Sequence, residues 1–424
     1  MRVCVVGAGA AGLCAARHLT TPGGGGGGNM DVVVYEQTDQ LGGTWVYTEH
    51  TELDPSTGLP VHSSLYKSLR TNLPKEVMGF PDFPIPEQPR SYLPAIDILR
   101  FLDNYAEHFQ LKQHIKFRHL IKQIQPNQSG WTVTVTNLTT KQDTVEDFDA
   151  IMVCNGHYHT PRYPDIPGAD TFPGLRLHSH HYRVPAPLAN KTVVVVGAGP
   201  SGLDIALEIT AVAKQVILSH HLKDEILTKF PDNLVQKPDI QSVSGSCVTF
   251  VDGSQVQADV LFYCTGYRYS FPFLSPECGV TVEDNFVQPL YKHLVHIHRP
   301  TMCFIGLPYY VCAFTMFDVQ ARYFTKVLQG SLKLPSSLAM QEHTEAVVAR
   351  CKADGLSPRQ YHMLGPRQTE YFLSLTQEAG LQPVPPVMEA LHSHSSRRFL
   401  EDLVHYREDV FRLLDDQRFQ LIQI

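Results

Sequence analysis

The chain has 424 residues with 43% hydrophobic and 18% charged content, enough for two or three globular domains with sizeable cores. A formal net charge of -7 supplies no basic field for phosphate backbones, which excludes nucleic acid as a partner. No apolar run reaches the roughly 18 residues of a membrane-spanning helix, and the first apolar run leads into a glycine turn without the basic region of a secretory signal.

Arg2–Val6 is a β-branched apolar run, the turn after it carries Gly7, Gly9 and Gly12, and an apolar-periodic helix follows to about Thr20. This G-x-G-x-x-G spacing suits a pyrophosphate. One glycine makes the tight turn, one lets backbone approach the phosphates, and one lets helix and strand pack closely. A second strand, Asp31 to Glu36, ends in the acid that a ribose hydroxyl wants, which points to FAD or NAD here and disfavours a 2′-phosphate. The tract Gly23 to Gly28 reads as a flexible insertion in the helix–strand loop. In Leu41 to Trp45, LGGTW, Gly43 can let backbone pass a cofactor and Trp45 can stack on it, or the segment is a turn with a core tryptophan.

Thr71 to Pro84, TNLPKEVMGFPDFP, holds too many prolines for a regular helix or central strand and is expected to be an ordered, aromatic-rich loop. Ile96 to Phe109 reads as a helix, Trp131 to Thr136 as a half-exposed strand, and Ile151 to Gly156 as a buried strand closing the first nucleotide fold. Lys191 to Glu208, KTVVVVGAGPSGLDIALE, then repeats the opening pattern with Gly197, Gly199 and Gly202. The next strand, Gln215–Ser219, is followed by His220, His221 and Lys223 in place of an acid, so the second site is expected to prefer NADPH. The tail from Ser396 onward, with Phe399, Leu403, Phe411 and Leu414 at roughly helical spacing, is expected to be a helix packed on the first domain. The nine cysteines form no C-x-x-C pair and read as reduced thiols of a cytoplasmic protein. The pair His157 and His159 and the group His178, His180 and His181 lack carboxylate or cysteine partners at ligand spacing, so no metal is expected.

The order of these motifs resembles the flavin-containing monooxygenases. The similarity is carried by both glycine turns, by the N-x-x-K-E-x-x-x-F-x-D-F-P segment from Asn72, by FPGLRLHSHHY at Phe172 to Tyr182, by the T-G-Y turn at Thr265 to Tyr267, and by Phe304 to Leu307 and Asp318 to Arg322. The resemblance implies an α/β fold of two Rossmann-like domains, the smaller NADPH domain inserted into the FAD domain. The boundaries are 1–186 for the first part of the FAD domain, 187–295 for the NADPH domain, and 296–424 for the second part with C-terminal helices. It implies that Gly7, Gly9, Gly12, Glu36, Gly43, Trp45 and Gln320 hold FAD, and that Gly197, Gly199, Ser201 and Gly202 hold the NADPH pyrophosphate. Ser219 and His221 would lie near the 2′-phosphate, where the family usually has arginine in place of His221. Asn72 would be the catalytic residue at the flavin edge, with His178 and Tyr182 structural.

The implied reaction is NADPH- and O2-dependent oxygenation of a small-molecule amine or sulfide through a flavin C4a-hydroperoxide. Two alternatives remain: a Baeyer–Villiger-type monooxygenase acting on ketones, for which Arg70 and Arg322 are the unassigned arginines, and a nucleotide-binding regulator without turnover. A disulfide reductase with the same two folds would need redox cysteines after its first site, and Leu41 to Glu52 has none. The sequence leaves a homo-oligomer open.

Overall fold

A computed structural model describes residues 1–21, 30–222 and 226–422, so the glycine tract and Lys223 lie outside the described residues. Two sheets organise the chain. The first has seven strands in the order Leu290–Tyr291, Val295–His296, Met302–Phe304, Ala150–Val153, Arg2–Val6, Asp31–Tyr35, Ile115–Lys116. Its five strands from Met302–Phe304 to Ile115–Lys116 run parallel, with helices on the face of Val3 and Val5 and the antiparallel sheet His119–Pro126, Trp131–Asn137, Gln142–Phe148 on the face of Cys4, which is why Val3, Cys4 and Val5 form an unbroken apolar run instead of alternating. Helix α1, Ala10–Thr20, follows the first strand, and α2, Ala95–His108, packs its apolar side into the same core. The strand expected to close this sheet, Ala150–Val153, is interior. Met302–Phe304 adds beyond it after the chain returns from the second fold.

The second sheet is wholly parallel, in the order Leu234–Lys237, Gln215–Ser219, Thr192–Val196, Val260–Tyr263, Leu175–His178. Helix α3, Pro200–Ile209, follows its Thr192–Val196 strand. Leu175–His178 joins this sheet although it precedes the boundary expected at 187, and Leu290–Tyr291 joins the first sheet although it precedes that expected at 296. Pairing partners explain both shifts, since Leu175 to His178 align with Val260 to Tyr263, whose T-G-Y continuation leads the chain back. Beyond it, α4, Ala313–Leu328, packs against α1. The fold is thus two dinucleotide-type units, the second inserted into the first, as expected.

The tail differs from its expected form. A helix spans Pro386–Glu401, but Asp402 leaves helical geometry at φ -149°, and Phe411 lies in a hairpin of Val410–Leu413 with Phe419–Ile422. The Asp415–Gln417 turn, in which the Asp415 carboxylate accepts from the Gln417 and Arg418 amides, favours a hairpin over continued helix. Leu403, Tyr406 and Phe411 pack in one apolar cluster with Val193, Leu203 and Phe262 of the second unit and with Tyr66, Val77 and Tyr92 of the first, so the tail bridges the two units.

The linker between the units is rich in buried imidazole. His178 donates from Nε2 to the Gly266 carbonyl (3.1 Å) and accepts at Nδ1 from the His180 amide (3.1 Å), which requires the neutral ring. His62 stacks on His159 with centroids 4.8 Å apart. Burial pushes His62, His157, His178 and His180 down to about 4. These values lie below the roughly 6.5 of an unfolded histidine, so the unfolded chain binds more protons between the two. The stability from keeping the rings neutral is therefore complete above about pH 6.5 and is lost as pH falls toward about 4. Urea midpoints should decline steadily below about pH 6.5, and midpoints that stay level down to about pH 5 would contradict this placement of the histidines.

Candidate functional site

The two glycine turns have the same geometry. Gly7 has φ +94° and Gly197 φ +99°, a region that other residues rarely adopt, and their amides donate to the Tyr35 and Ser219 carbonyls of the next strand at 2.8 Å each. A Cβ on Gly12 would stand 1.9 Å from the Gly7 carbonyl oxygen, and one on Gly202 would stand 1.9 Å from that of Gly197. Those glycines bring helix onto strand. The middle glycines differ: around a Cβ on Gly199 there is nothing within 4 Å, and on Gly9 the nearest atom is the Gly43 Cα at 3.6 Å. Both are helix N-caps without side-chain capping, so the first-turn N–H groups of α1, and those of α3 after Pro200, have no side-chain acceptor. A diphosphate fits such a cradle, held by N–H groups and the positive end of the helix dipole.

Around the first turn the expected residues converge. The Glu36 carboxylate, buried just beyond the second strand, accepts from the Ala8 amide (2.8 Å) and from the Thr38 amide and hydroxyl (2.9 and 2.8 Å). Oε1 is thereby saturated, while Oε2 keeps acceptor capacity for a ribose hydroxyl. Gly42 donates to the Ala8 carbonyl (3.0 Å), which lays the 3-10 turn Gly43–Trp45 against Gly9 and leaves Trp45 half-buried. LGGTW is therefore part of the nucleotide turn, and Trp45 also packs partly on the core.

Gln320 takes a different place from the one expected. It is fully buried in α4, where Oε1 accepts from the Gly306 amide (2.9 Å) and Nε2 donates to the Tyr371 hydroxyl (2.7 Å). Its amide braces the Gly306 turn, φ +90°, instead of facing a ligand. Ser219 is likewise buried, and its hydroxyl proton goes to the Pro238 carbonyl (2.8 Å), so it offers a phosphate no donor. His221 is exposed, with Nδ1 3.0 Å from an Asp239 oxygen. That acid sits where the sequence suggested only hydroxyl and basic groups. Ser201 is exposed in the first turn of α3.

Asn72 is exposed on the loop that ends in the 3-10 turn Lys75–Val77. The preceding residues, Arg70 and Thr71, are fixed from two sides. Thr71 exchanges hydrogen bonds with Leu93 (2.8 and 3.0 Å), and Arg407 donates to the Thr71 and Arg70 carbonyls (3.2 and 3.3 Å). Tyr182 is buried and donates to Glu208 on α3 (2.6 Å), and with His178 it has the structural setting expected of the linker. Sequence reasoning missed Asp204, Glu208 and Arg407. Two acids on the otherwise apolar α3 were a visible signal, whereas Arg407, far along the chain, gave none.

Among the described residues, metal-type ligands converge at Cys14, His18 and Asp318 and in neither histidine group. His18 Nε2 lies 2.7 Å from Asp318 Oδ1, and Arg322 donates to Oδ2 (2.7 Å), so the carboxylate already has its cation. Burial holds the Cys14 thiol well above its usual range, which keeps it protonated.

Two dinucleotide turns in one chain, with a fixed polar loop between the units, define a protein built for two nucleotides. The chain belongs to the flavin-binding monooxygenase-like family, whose description matches residues 1–235 and 222–383. It is 40% identical over 401 residues to the flavin-containing monooxygenase FMO GS-OX5 of Arabidopsis thaliana, covering 90% of this chain and 86% of that protein. It is 33% identical over 426 residues to the senecionine N-oxygenase of Tyria jacobaeae, covering 99% and 91%. The structure of S-allyl-L-cysteine S-oxygenase from Allium sativum superposes with a TM-score of 0.89 at 36% identity, covering 96% of this chain and 94% of that one.

The glycines separate packing from binding. Gly202→Ala should force the α3 contact apart and lower the denaturation midpoint. Gly199→Ala should fold normally yet weaken nucleotide binding on the order of tenfold, because its methyl enters the cradle. Equal thermal stability of both variants, measured by calorimetry, would refute the packing role of Gly202.

Proposed function

We propose that this chain is an NADPH- and O2-dependent monooxygenase that oxygenates soft nucleophilic nitrogen or sulfur of small molecules, with FAD at the first turn and NADP(H) at the second. The observation that carries it is the pair of uncapped glycine cradles at Gly9 and Gly199, with Asn72 presented on the braced loop between the units. Relatives named for nitrogen and for sulfur oxygenation support the substrate class. When bound, the flavin supplies hydride acceptance and oxygen activation, and the protein supplies binding, orientation and a dry enclosure.

In this reading Glu36 holds the FAD ribose, and Gly43 and Trp45 close the first turn from outside. Asn72, with one carbonyl and two N–H donors, is the polar group offered at the reacting edge. Gln320 acts through Gly306, keeping that turn in place. The arginines open to a ketone-directed role are both bonded within the protein, Arg70 through one terminal nitrogen, with its buried Nε unpartnered among the described residues. Arg70 donates to the Tyr92 and Arg407 carbonyls (3.0 and 3.1 Å), and Arg322 to Asp318. This favours amine and sulfide oxygenation over ketone insertion, in which an arginine steadies an anionic oxidant. Nine free thiols, eight of them buried, suit a reducing cytoplasmic setting. No helix among the described residues is long and apolar enough to cross a membrane.

Purified protein with a flavin absorption band, NADPH consumption under oxygen, and product from a thioether and a tertiary amine but not from a cyclic ketone would support the reading. Lactone formation with the other two untouched would favour the ketone branch, and a protein without bound flavin would favour the regulator. Asn72→Leu should retain FAD while product per NADPH falls on the order of 10- to 100-fold and hydrogen peroxide release rises; unaltered coupling would remove Asn72 from the reaction.

Asp239 is expected to limit selectivity for the phosphorylated nucleotide, since its carboxylate takes the His221 ring and repels a 2′-phosphate. Asp239→Asn should raise the NADPH over NADH ratio of kcat/KM roughly two- to fivefold, the scale of an exposed ion-pair interaction. An unchanged ratio would place the 2′-phosphate elsewhere.

A further inference from the structure

Helix α3 serves more than its phosphate end. One turn apart, Asp204 and Glu208 project from the same face, and each holds parts of the loop that leads to Asn72. The Tyr66 hydroxyl donates to Asp204 Oδ2 and the Ser68 hydroxyl to Glu208 Oε1, beside the Tyr182 hydroxyl on Glu208 Oε2. Arg407 then reaches in from the 3-10 turn Tyr406–Glu408. Its NH1 and NH2 take the two Asp204 oxygens at 2.5 and 3.1 Å, while its Nε donates to the Thr71 carbonyl and NH2 also to that of Arg70. The pair is largely out of water, with side chains 17% and 13% exposed. Tyr406, fully buried and edge-on to Tyr92 at 5.1 Å, anchors the turn that carries Arg407.

We infer that Arg407 is a positioning residue whose guanidinium, held by Asp204 on the second-turn helix and holding the carbonyls next to Asn72, sets where Asn72 stands relative to the second nucleotide site. A planar fork with five donors can satisfy a carboxylate and two carbonyls at once. A lysine could keep the ion pair but not this geometry. The arrangement makes one rigid path from the cradle at Gly199, along α3 to Asp204, through Arg407 to the Thr71 carbonyl, and so to Asn72. The inference rests on the reading of Asn72 and of the second cradle given above.

The experiment uses the full-length, flavin-loaded protein with Arg407→Met, Arg407→Lys, Asp204→Asn and the double variant Arg407→Met with Asp204→Asn. Hydrogen exchange is followed without nicotinamide nucleotide at the Lys67, Leu69 and Thr71 amides, each bonded to a backbone carbonyl. NADP+ affinity is measured by titration. Arg407→Met should speed exchange of these amides and weaken NADP+ binding, each on the order of tenfold, with the FAD-to-protein ratio unchanged. Arg407→Lys should recover most of the NADP+ affinity but leave Thr71 exchanging fast. The double variant should be no worse than the worse single one, as expected of partners in one interaction. Unchanged exchange and affinity in Arg407→Met, strictly additive effects, or equal acceleration of exchange in the Gly7 turn, which would mark a merely global role, would each overturn the inference. Should Asn72→Leu leave coupling intact while Arg407→Met shifts exchange and affinity as stated, the catalytic reading of Asn72 fails and the positioning role of Arg407 stands.

Discussion

The contact between the third glycine of each turn and the carbonyl of the first is the constraint on which the molecule depends. With no room for a Cβ at Gly12 or Gly202, helix and strand approach until the helix N-terminus points over the sheet edge. That approach leaves the N–H groups of α1 and α3 uncapped and their dipoles aimed outward. Glu36 and the Gly43–Trp45 turn lie about the first end, and Ser201 and His221 about the second. Packing and ligand recognition are thus set by the same backbone path, and only the middle glycine is spared for the ligand.

Much of this was legible because it is local. Strand, glycine spacing and helix lie within twenty residues of one another at each turn, so Arg2–Val6 with Ala10–Thr20, and Thr192–Val196 with Pro200–Ile209, could be read directly from the chain. Glu36 was legible for the same reason. What could not be read was where a side chain spends its hydrogen bonds. Gln320 and Ser219 have the right chemistry at the right place in the sequence, yet both are buried with their donors taken by Tyr371 and by Pro238. The tail was misread because Phe399 and Leu403 keep helical spacing up to the point where Asp402 breaks the helix, and the pattern says nothing of which core receives them. Asp239 and Arg407 reach the site from distant segments, and no spacing rule connects them with it.

The two units are joined differently at their two seams. On one side a neutral imidazole crosses between them, His180 bonding through Nε2 to the Val61 carbonyl (3.0 Å), a seam that depends on protons staying away. On the other side α3 sets the Asp204 and Glu208 carboxylates against hydroxyls and a guanidinium. A relative movement of the units would strain these sets unequally. The carboxylate seam, through Arg407, lies next to the loop that carries Asn72.

The hairpin at Val410–Leu413 has a bearing on how the protein comes into being. Val193, Leu203 and Phe262 share their cluster with Leu403, Tyr406 and Phe411, so the inserted unit leaves the ribosome with one side of its core uncovered. Its glycine turn is made early, but its apolar wall stays open while more than a hundred further residues are synthesised, and the sheet around Val3 has to wait for Met302–Phe304 in the same interval. Neither unit can finish before the other has been passed through. During synthesis the chain must therefore carry two half-built cores at once, completed only when Met302–Phe304 and the tail have been made.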